Sequence, residues 1–507
     1  MNRRNFIKST GCALSMTALA SQMRHFGLVS AYAQRALNAP AIPSDYRALV
    51  CVFLAGGNDG NNMIIPNHTS ASISNYSTYY NARNTQGLAI VNAASPGSPL
   101  TSNQFNVPRM GGLEYALHPA LGPQAPATNI VNNGIYELWG LGKLCAVTNV
   151  GTLVAPMTKT QYQNGSVQKP YQLFSHSDQI AQYQGGRSDT ASFSGWGGRI
   201  SDARTASDNP SGLIPMVTSI AGAQLFTAGQ TTLPMAIADS GTSLSSVLQP
   251  VGFCSPTPCT PTGAAGARFT AFNNLRQYDL TNNYLTAASH ITDLAMQANA
   301  ALQNPVSVTA AFPNTGIGRQ LKQVALLIKS RGSLSVNRQI FFVSLGGFDT
   351  HTSQVTQQQT LLVQLSQAMR SFYDEMVAQS LSDKVTQFTM ADFSRTFSPA
   401  GTGGTVGSDH AWGNHHFVVG AGITAADFYG INTSNGTPFP SLTFNGPDDA
   451  DSGASARGRW IPTTSVEQYA ATLARWYGLP DANLSQVFPK IPNFSNTDLS
   501  FMQPPAP

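Results

Sequence analysis

The chain is expected to fold as an α/β domain with a doubly wound, mostly parallel sheet, and three observations support this. Strand-like runs occur at Ala48 to Leu54, Leu144 to Val150, Met216 to Ile220, Gln339 to Leu345, Val385 to Ala391 and His416 to Gly420. Several are apolar throughout rather than alternating, as parallel strands covered on both faces are. Helical patterns lie between them, and strands alternating with helices give crossovers onto a parallel sheet. Short glycine-rich turns close several of the runs, and in open α/β sheets the loops at the carboxyl ends of the strands bind ligands.

The elements follow in order. Asn132 to Gly142 reads as a helix leading into the strand at Leu144. Phe269 to Gln303 carries apolar residues at helical spacing, interrupted by Asn and Thr. Gly318 to Ser330 and Gln357 to Ala378 are amphipathic, the second with Leu361, Leu362, Leu365, Met369, Phe372 and Met376 on one stripe. Residues 201–310 have fewer strand signals and read as a helical, loop-rich insertion or cap on one domain covering residues 34–507. Ile64 to Arg109 and Thr158 to Gly198, rich in Asn, Gln, Ser, Gly and Tyr, read as long surface loops of the kind that line binding sites.

Residues 1–33 read as a removable export signal. Arg3 and Arg4 precede an apolar residue and Lys8, as in twin-arginine signals, a weakly apolar run follows, and Ala31-Tyr32-Ala33 is a small-x-small cleavage word. Cys12 lacks a preceding apolar run, which argues against a lipoprotein. The expected location is periplasmic or extracellular. Removing the signal takes four of the 28 basic residues and no acidic one, leaving 24 against 24. With no basic cluster elsewhere, no nucleic-acid partner is expected. No apolar stretch reaches the roughly 18 residues of a membrane span. Cys254 and Cys259, in a Pro/Thr/Gly-rich loop, are expected to form a short disulfide in an oxidising compartment, whereas Cys51 and Cys145 lie in apolar runs and are expected to be buried.

Four of the nine histidines fall between Phe341 and Gly420, among carboxylates. Gly57-Asn58-Asp59-Gly60-Asn61-Asn62 ends the first strand and reads either as a metal-binding aspartate or as a plain turn. In Gly346-Gly347-Phe348-Asp349-Thr350-His351, alternation puts Asp349 and His351 on one side of an extended loop, a workable chelating pair; Asp349 or Thr350 is equally suited to cap the next helix. Ser408-Asp409-His410 and Asn414-His415-His416 offer a second set, with His415 and His416 interchangeable, and Asp409 either a ligand or the orienting partner of an imidazole. Arg395 is expected to clamp an oxyanion or to pair with Asp392 or Asp409. His118 and His176 are isolated histidines and secondary candidates.

These words together resemble a family of exported bacterial proteins of unknown function related to the alkaline-phosphatase/sulfatase superfamily. The resemblance runs from Val52-Phe53-Leu54-Ala55-Gly56-Gly57-Asn58-Asp59-Gly60 through Leu117-His118-Pro119, Gly195-Trp196-Gly197-Gly198-Arg199 and the aspartate-histidine words to Gly458-Arg459-Trp460-Ile461-Pro462. It implies an alkaline-phosphatase-like fold and a two-metal core. One ion would be held by Asp59, Asp409 and His410, the other by Asp349, His351 and His415 or His416. The Asp-x-His spacing is shorter than the superfamily's usual word. Where the superfamily places a nucleophile after the first strand, this chain has Asn61 and Asn62, so Asn62 stands at the catalytic position. The expected function is an exported hydrolase of phosphate or sulfate esters, using a divalent metal with zinc as first choice. The alternative is a non-catalytic binding protein on a hydrolase-like fold.

Overall fold

The computed structural model describes residues 45–124, 133–232, 234–247, 263–277, 283–304 and 306–503. The export signal, Cys254 and Cys259 lie outside them. Among the described residues the architecture is mixed α/β around a largely parallel sheet. Its strands are β1 (Arg47–Ala55), β5 (Leu144–Gly151), β6 (Val217–Ser219), β7 (Met235–Ala236), β8 (Arg338–Gly346), β9 (Val385–Ala391), β10 (Asn414–Gly420), β11 (Phe428–Tyr429) and β12 (Thr464–Ser465). The order is β11-β5-β10-β9-β1-β8-β6-β7, with β12 also pairing with β5. A smaller antiparallel sheet joins β2 (Ile64–Pro66), β4 (Leu113–Leu117) and β3 (Gln104–Val107) in that order.

Side-chain alternation along the central strands divides the core into two layers. Ala48, Val50, Val52 and Leu54 face one apolar cluster, while Leu49, Cys51 and Phe53 face the other. The first cluster takes Leu321, Val324 and Ile328 from the helix Gly316–Lys329, and Leu362, Leu365, Met369, Phe372 and Met376 from the helix Gln354–Ala378. The second takes Trp196 and Ile200 from the helix Trp196–Asp208, and Tyr469, Leu473 and Trp476 from the helix Val466–Tyr477. Both faces of β1 are thus buried, which is why its sequence is apolar from Ala48 to Ala55. Cys51 and Cys145 are both buried in the second layer.

Three expectations change. The helix foreseen at Asn132 to Gly142 is one turn, Glu137–Gly140. The segments read as long ordered surface loops contain regular elements, including two strands of the small sheet and the helices Tyr76–Arg83, Lys159–Asn164 and His176–Gly185. The stretch 201–310 contributes β6 and β7 to the main sheet as well as the helices Gly263–Arg276 and Asn283–Ala301. Among the described residues no helix is long and apolar enough to cross a membrane.

One feature of the central sheet positions the site. β10 runs antiparallel to both neighbours, β5 and β9, whereas the other pairings are parallel. A reversed strand begins at the edge where its neighbours end. The chain entering β10 therefore meets the chains leaving β1, β8 and β9.

Candidate metal centre

The turn after β1 must be tight for that meeting to occur. Gly56 and Gly57 both have positive φ, at 113° and 78°. A Cβ on Gly56 would lie 2.4 Å from the backbone nitrogen of Asp349, so the loop after β8 lies directly against it. Glycine is required there by both torsion and space. The short helix Gly60–Met63 follows, capped by the Asp59 side chain, which accepts from the Asn61 N–H.

Three imidazoles and one carboxylate converge at this edge. His410 Nε2 lies 3.1 Å from His176 Nε2 and 3.1 Å from His351 Nε2. Asp349 Oδ1 lies 3.1 Å from His351 Nε2, 3.4 Å from His176 Nε2 and 3.6 Å from His410 Nε2. Ligand atoms held about 2.0–2.1 Å from a tetrahedral ion are separated by roughly 3.3–3.4 Å. For His176, Asp349 and His410 the spacings come near that separation. Donors from His176, Asp349 and His410 all lie within 4.8 Å of one another.

The outer nitrogens are tied down. His176 Nδ1 lies 2.7 Å from Asp392 Oδ2, and His351 Nδ1 lies 3.2 Å from Asp409 Oδ1. His410 Nδ1 donates to the Phe174 carbonyl at 2.8 Å. A carbonyl or carboxylate oxygen only accepts, so each ring carries its proton on Nδ1 when neutral and turns an Nε2 lone pair inward. The Arg395 guanidinium already meets two of these atoms, Asp349 Oδ1 and, at 3.4 Å, His351 Nε2, so the lone pairs that face each other without a donor are those of His176 and His410. The donor set therefore fits a divalent transition metal, with the outer partners fixing tautomer and ring orientation as they do in metal sites.

Local charges act differently on each group. The Asp392 hydrogen bond raises the His176 pKa, against the effect of burial. Burial lowers that of His410, with the charges of Arg395, His176 and His351 adding to the shift. Burial acts to raise Asp349, but its hydrogen bond and charge contact with Arg395 leave it below the usual carboxylate range. The site is open to solvent: the Asp349 side chain is 51% exposed and that of His176 29%.

The other sequence candidates lie elsewhere or do other work. Arg395 is fully buried and holds the loops together. Its Nε donates to the Gly57 carbonyl at 2.8 Å, Nη1 to Ser408 at 3.0 Å and Nη2 to Phe348 at 3.1 Å, with further contacts to the Gly56 carbonyl and the Asp349 carboxylate. Few donors remain for an oxyanion. The Asp59 carboxylate is taken up by Arg83, Gln354, Asn61 and its cap, so its oxygens are saturated within the protein. Asn62 accepts from the Tyr79 hydroxyl and donates to the Leu88 carbonyl, both buried contacts.

His415 and His416 point into the core. His415 accepts from the Asn149 N–H and stacks on Phe439, while His416 stacks on Tyr469. Burial pushes both pKa values down to about 3. His118 accepts from the Ala120 N–H to cap a 3₁₀ turn, and burial lowers it to about 4. Asp409 supports His351 through Nδ1 and pairs with Arg457 on its other oxygen.

The structure therefore assembles Asp349, His351 and His410 with His176, and leaves Asp59, His415 and His416 out of the cluster. Asp392, first residue after β9, is the buried support that sequence reasoning did not assign to His176. An aspartate directly at a strand's carboxyl end was the available signal. No curated protein matches the chain. The model of one family, described as a protein of unknown function (DUF1501), matches residues 46–438 and so spans every member of the cluster. The chain belongs to this family of unknown function.

Proposed function

We propose that the protein is an exported, metal-dependent hydrolase of phosphate or sulfate esters, built around one divalent cation held by His176, Asp349, His351 and His410. The observation that carries this reading is the convergence of three Nε2 atoms whose Nδ1 atoms are each anchored by an oxygen. The imidazole-rich donor set favours zinc among common divalent ions. A cation bound there would polarise an ester oxygen and bring the pKa of a water near 7. The protein's own part is to fix three imidazole rings, hold the Asp349 carboxylate ionised through Arg395, and leave one side open to substrate.

Kinship with the alkaline-phosphatase/sulfatase superfamily draws support from the parallel sheet and from aspartate and histidine at its carboxyl edge. The buried Asn61 and Asn62 leave no side-chain nucleophile after β1, which favours direct attack by water. Export draws support from Arg3-Arg4 and the cleavage word that follows. A second reading, a binding protein without turnover, gains from the saturation of Asp59, since a second ion would lack its carboxylate.

Metal analysis of purified protein should find about one ion per chain, and a His410→Ala variant should lose it. A screen of phosphate and sulfate esters should show turnover that fails in the same variant. A metal-free wild type would end the metal-centre reading; a metal-loaded protein inert toward the esters would leave the binding protein.

A further inference from the structure

We propose that Arg457 is the oxyanion contact of this centre, selecting an anionic ligand of the phosphate or sulfate class. The proposal takes its location from the metal-centre reading and its charge selectivity from Arg457 alone. The loop that bears Arg457 is locked onto the site. The Arg457 N–H donates to Asp451 Oδ2 at 3.0 Å, and its carbonyl accepts from the Ser398 N–H at 2.9 Å. Two residues on, Arg459 Nε donates to the His410 carbonyl at 2.9 Å. The two arginines thus grip the consecutive residues Asp409 and His410.

The side chains of these arginines differ in what they leave open. Arg395 is consumed by carbonyls and Asp349, and Arg459 Nη1 donates to both oxygens of Asp451 at 2.9 Å. Arg457 makes one side-chain bond among the described residues, from Nη1 to Asp409 Oδ2. Its Nε and Nη2 form the side-on fork that binds a carboxylate or phosphate through two parallel bonds. That fork is unoccupied by protein acceptors, and the side chain is 29% exposed. Asp409 Oδ1 is at the same time 3.2 Å from His351 Nδ1. The open fork is therefore joined through Asp409 to the outer nitrogen of His351, on a loop tied by the Asp451 and Ser398 hydrogen bonds.

Isothermal titration of inorganic phosphate into the purified full chain tests this, with metal content and melting temperature measured on the same samples. Arg457→Gln should weaken phosphate at least about tenfold, the scale of a lost charge-assisted bidentate contact, with metal content unchanged. Arg457→Lys keeps the charge without the fork and should recover part of the affinity. Equal phosphate affinity in wild type and Arg457→Gln would overturn the proposal, as would a wild type that binds no phosphate at millimolar concentration. Phosphate binding that depends on Arg457 in a protein devoid of metal would remove the metal-centre reading and support Arg457 as an anion contact in its own right.

Discussion

Asp392 offers the sharpest test of how the cluster is held. It is completely buried, and its carboxylate does two things at once. Oδ2 takes His176 Nδ1 at 2.7 Å, and both oxygens lie within 3.3 Å of the Gly56 N–H, the nearer at 3.1 Å. Asp392→Asn keeps the shape but replaces one acceptor by an NH₂ group. If that group faces His176, the imidazole must accept at Nδ1 and move its proton to Nε2, the atom that faces the cation. If the amide turns round, its NH₂ faces the Gly56 N–H, which keeps only the farther oxygen at 3.3 Å.

Loss of an outer partner of a metal-binding histidine typically costs 10–100-fold in affinity, about 1.4–2.7 kcal/mol. A proton moved onto the metal-facing Nε2 puts this variant near the upper end. Competition between the protein and a chromophoric chelator for zinc measures the affinity, and thermal unfolding of the metal-free protein reports whether the fold survives. Zinc affinity within about threefold of wild type, at unchanged melting temperature, would refute the proposed support of His176.

Two further predictions follow from the buried polar groups. Asp59→Ala leaves Arg83, which is fully buried, without its carboxylate, and should cost about 3–5 kcal/mol in urea unfolding while zinc stoichiometry stays the same. Loss of zinc at unchanged stability would instead return Asp59 to the ligand set. His118, His415 and His416 are held neutral by burial, with pKa values lowered to about 4, 3 and 3 from an unfolded value near 6.5. The unfolded chain therefore takes up protons first as pH falls, so the stability these groups contribute is complete above pH 6.5 and is lost below it. At pH 5 each costs about 2 kcal/mol, and urea midpoints should fall steeply from pH 7 to pH 5; a flat profile would contradict the burial argument.

The parallel sheet was legible because β1 from Ala48 on and residues 340–343 of β8 are apolar on both faces, a pattern that double burial explains. The amphipathic stripe on the helix Gln354–Ala378 was legible for the same reason, since one side of a helix must bury its apolar residues. The pairing of Asp349 with His351 was local, two residues apart in an extended loop. What sequence could not separate were histidines that look alike in one dimension. His410 and His415 lie five residues apart, yet the first enters the cluster and the second stacks inside the core on Phe439. The reversal of β10 decides this, because it sets which side chains emerge before the strand begins and which turn inward along it.

His176 shows the same limit from the other side. It sits 173 positions before Asp349, at the start of a helix inside a stretch that resembled a loop, and nothing nearby marks it as a ligand. Composition and periodicity were enough to determine a sheet clothed in helices with polar words along one edge, since apolar burial is read residue by residue. Which of those words share a point in space, and which arginine keeps an open fork, was decided only by packing, because a hydrogen-bond partner hundreds of residues away leaves no trace in local spacing.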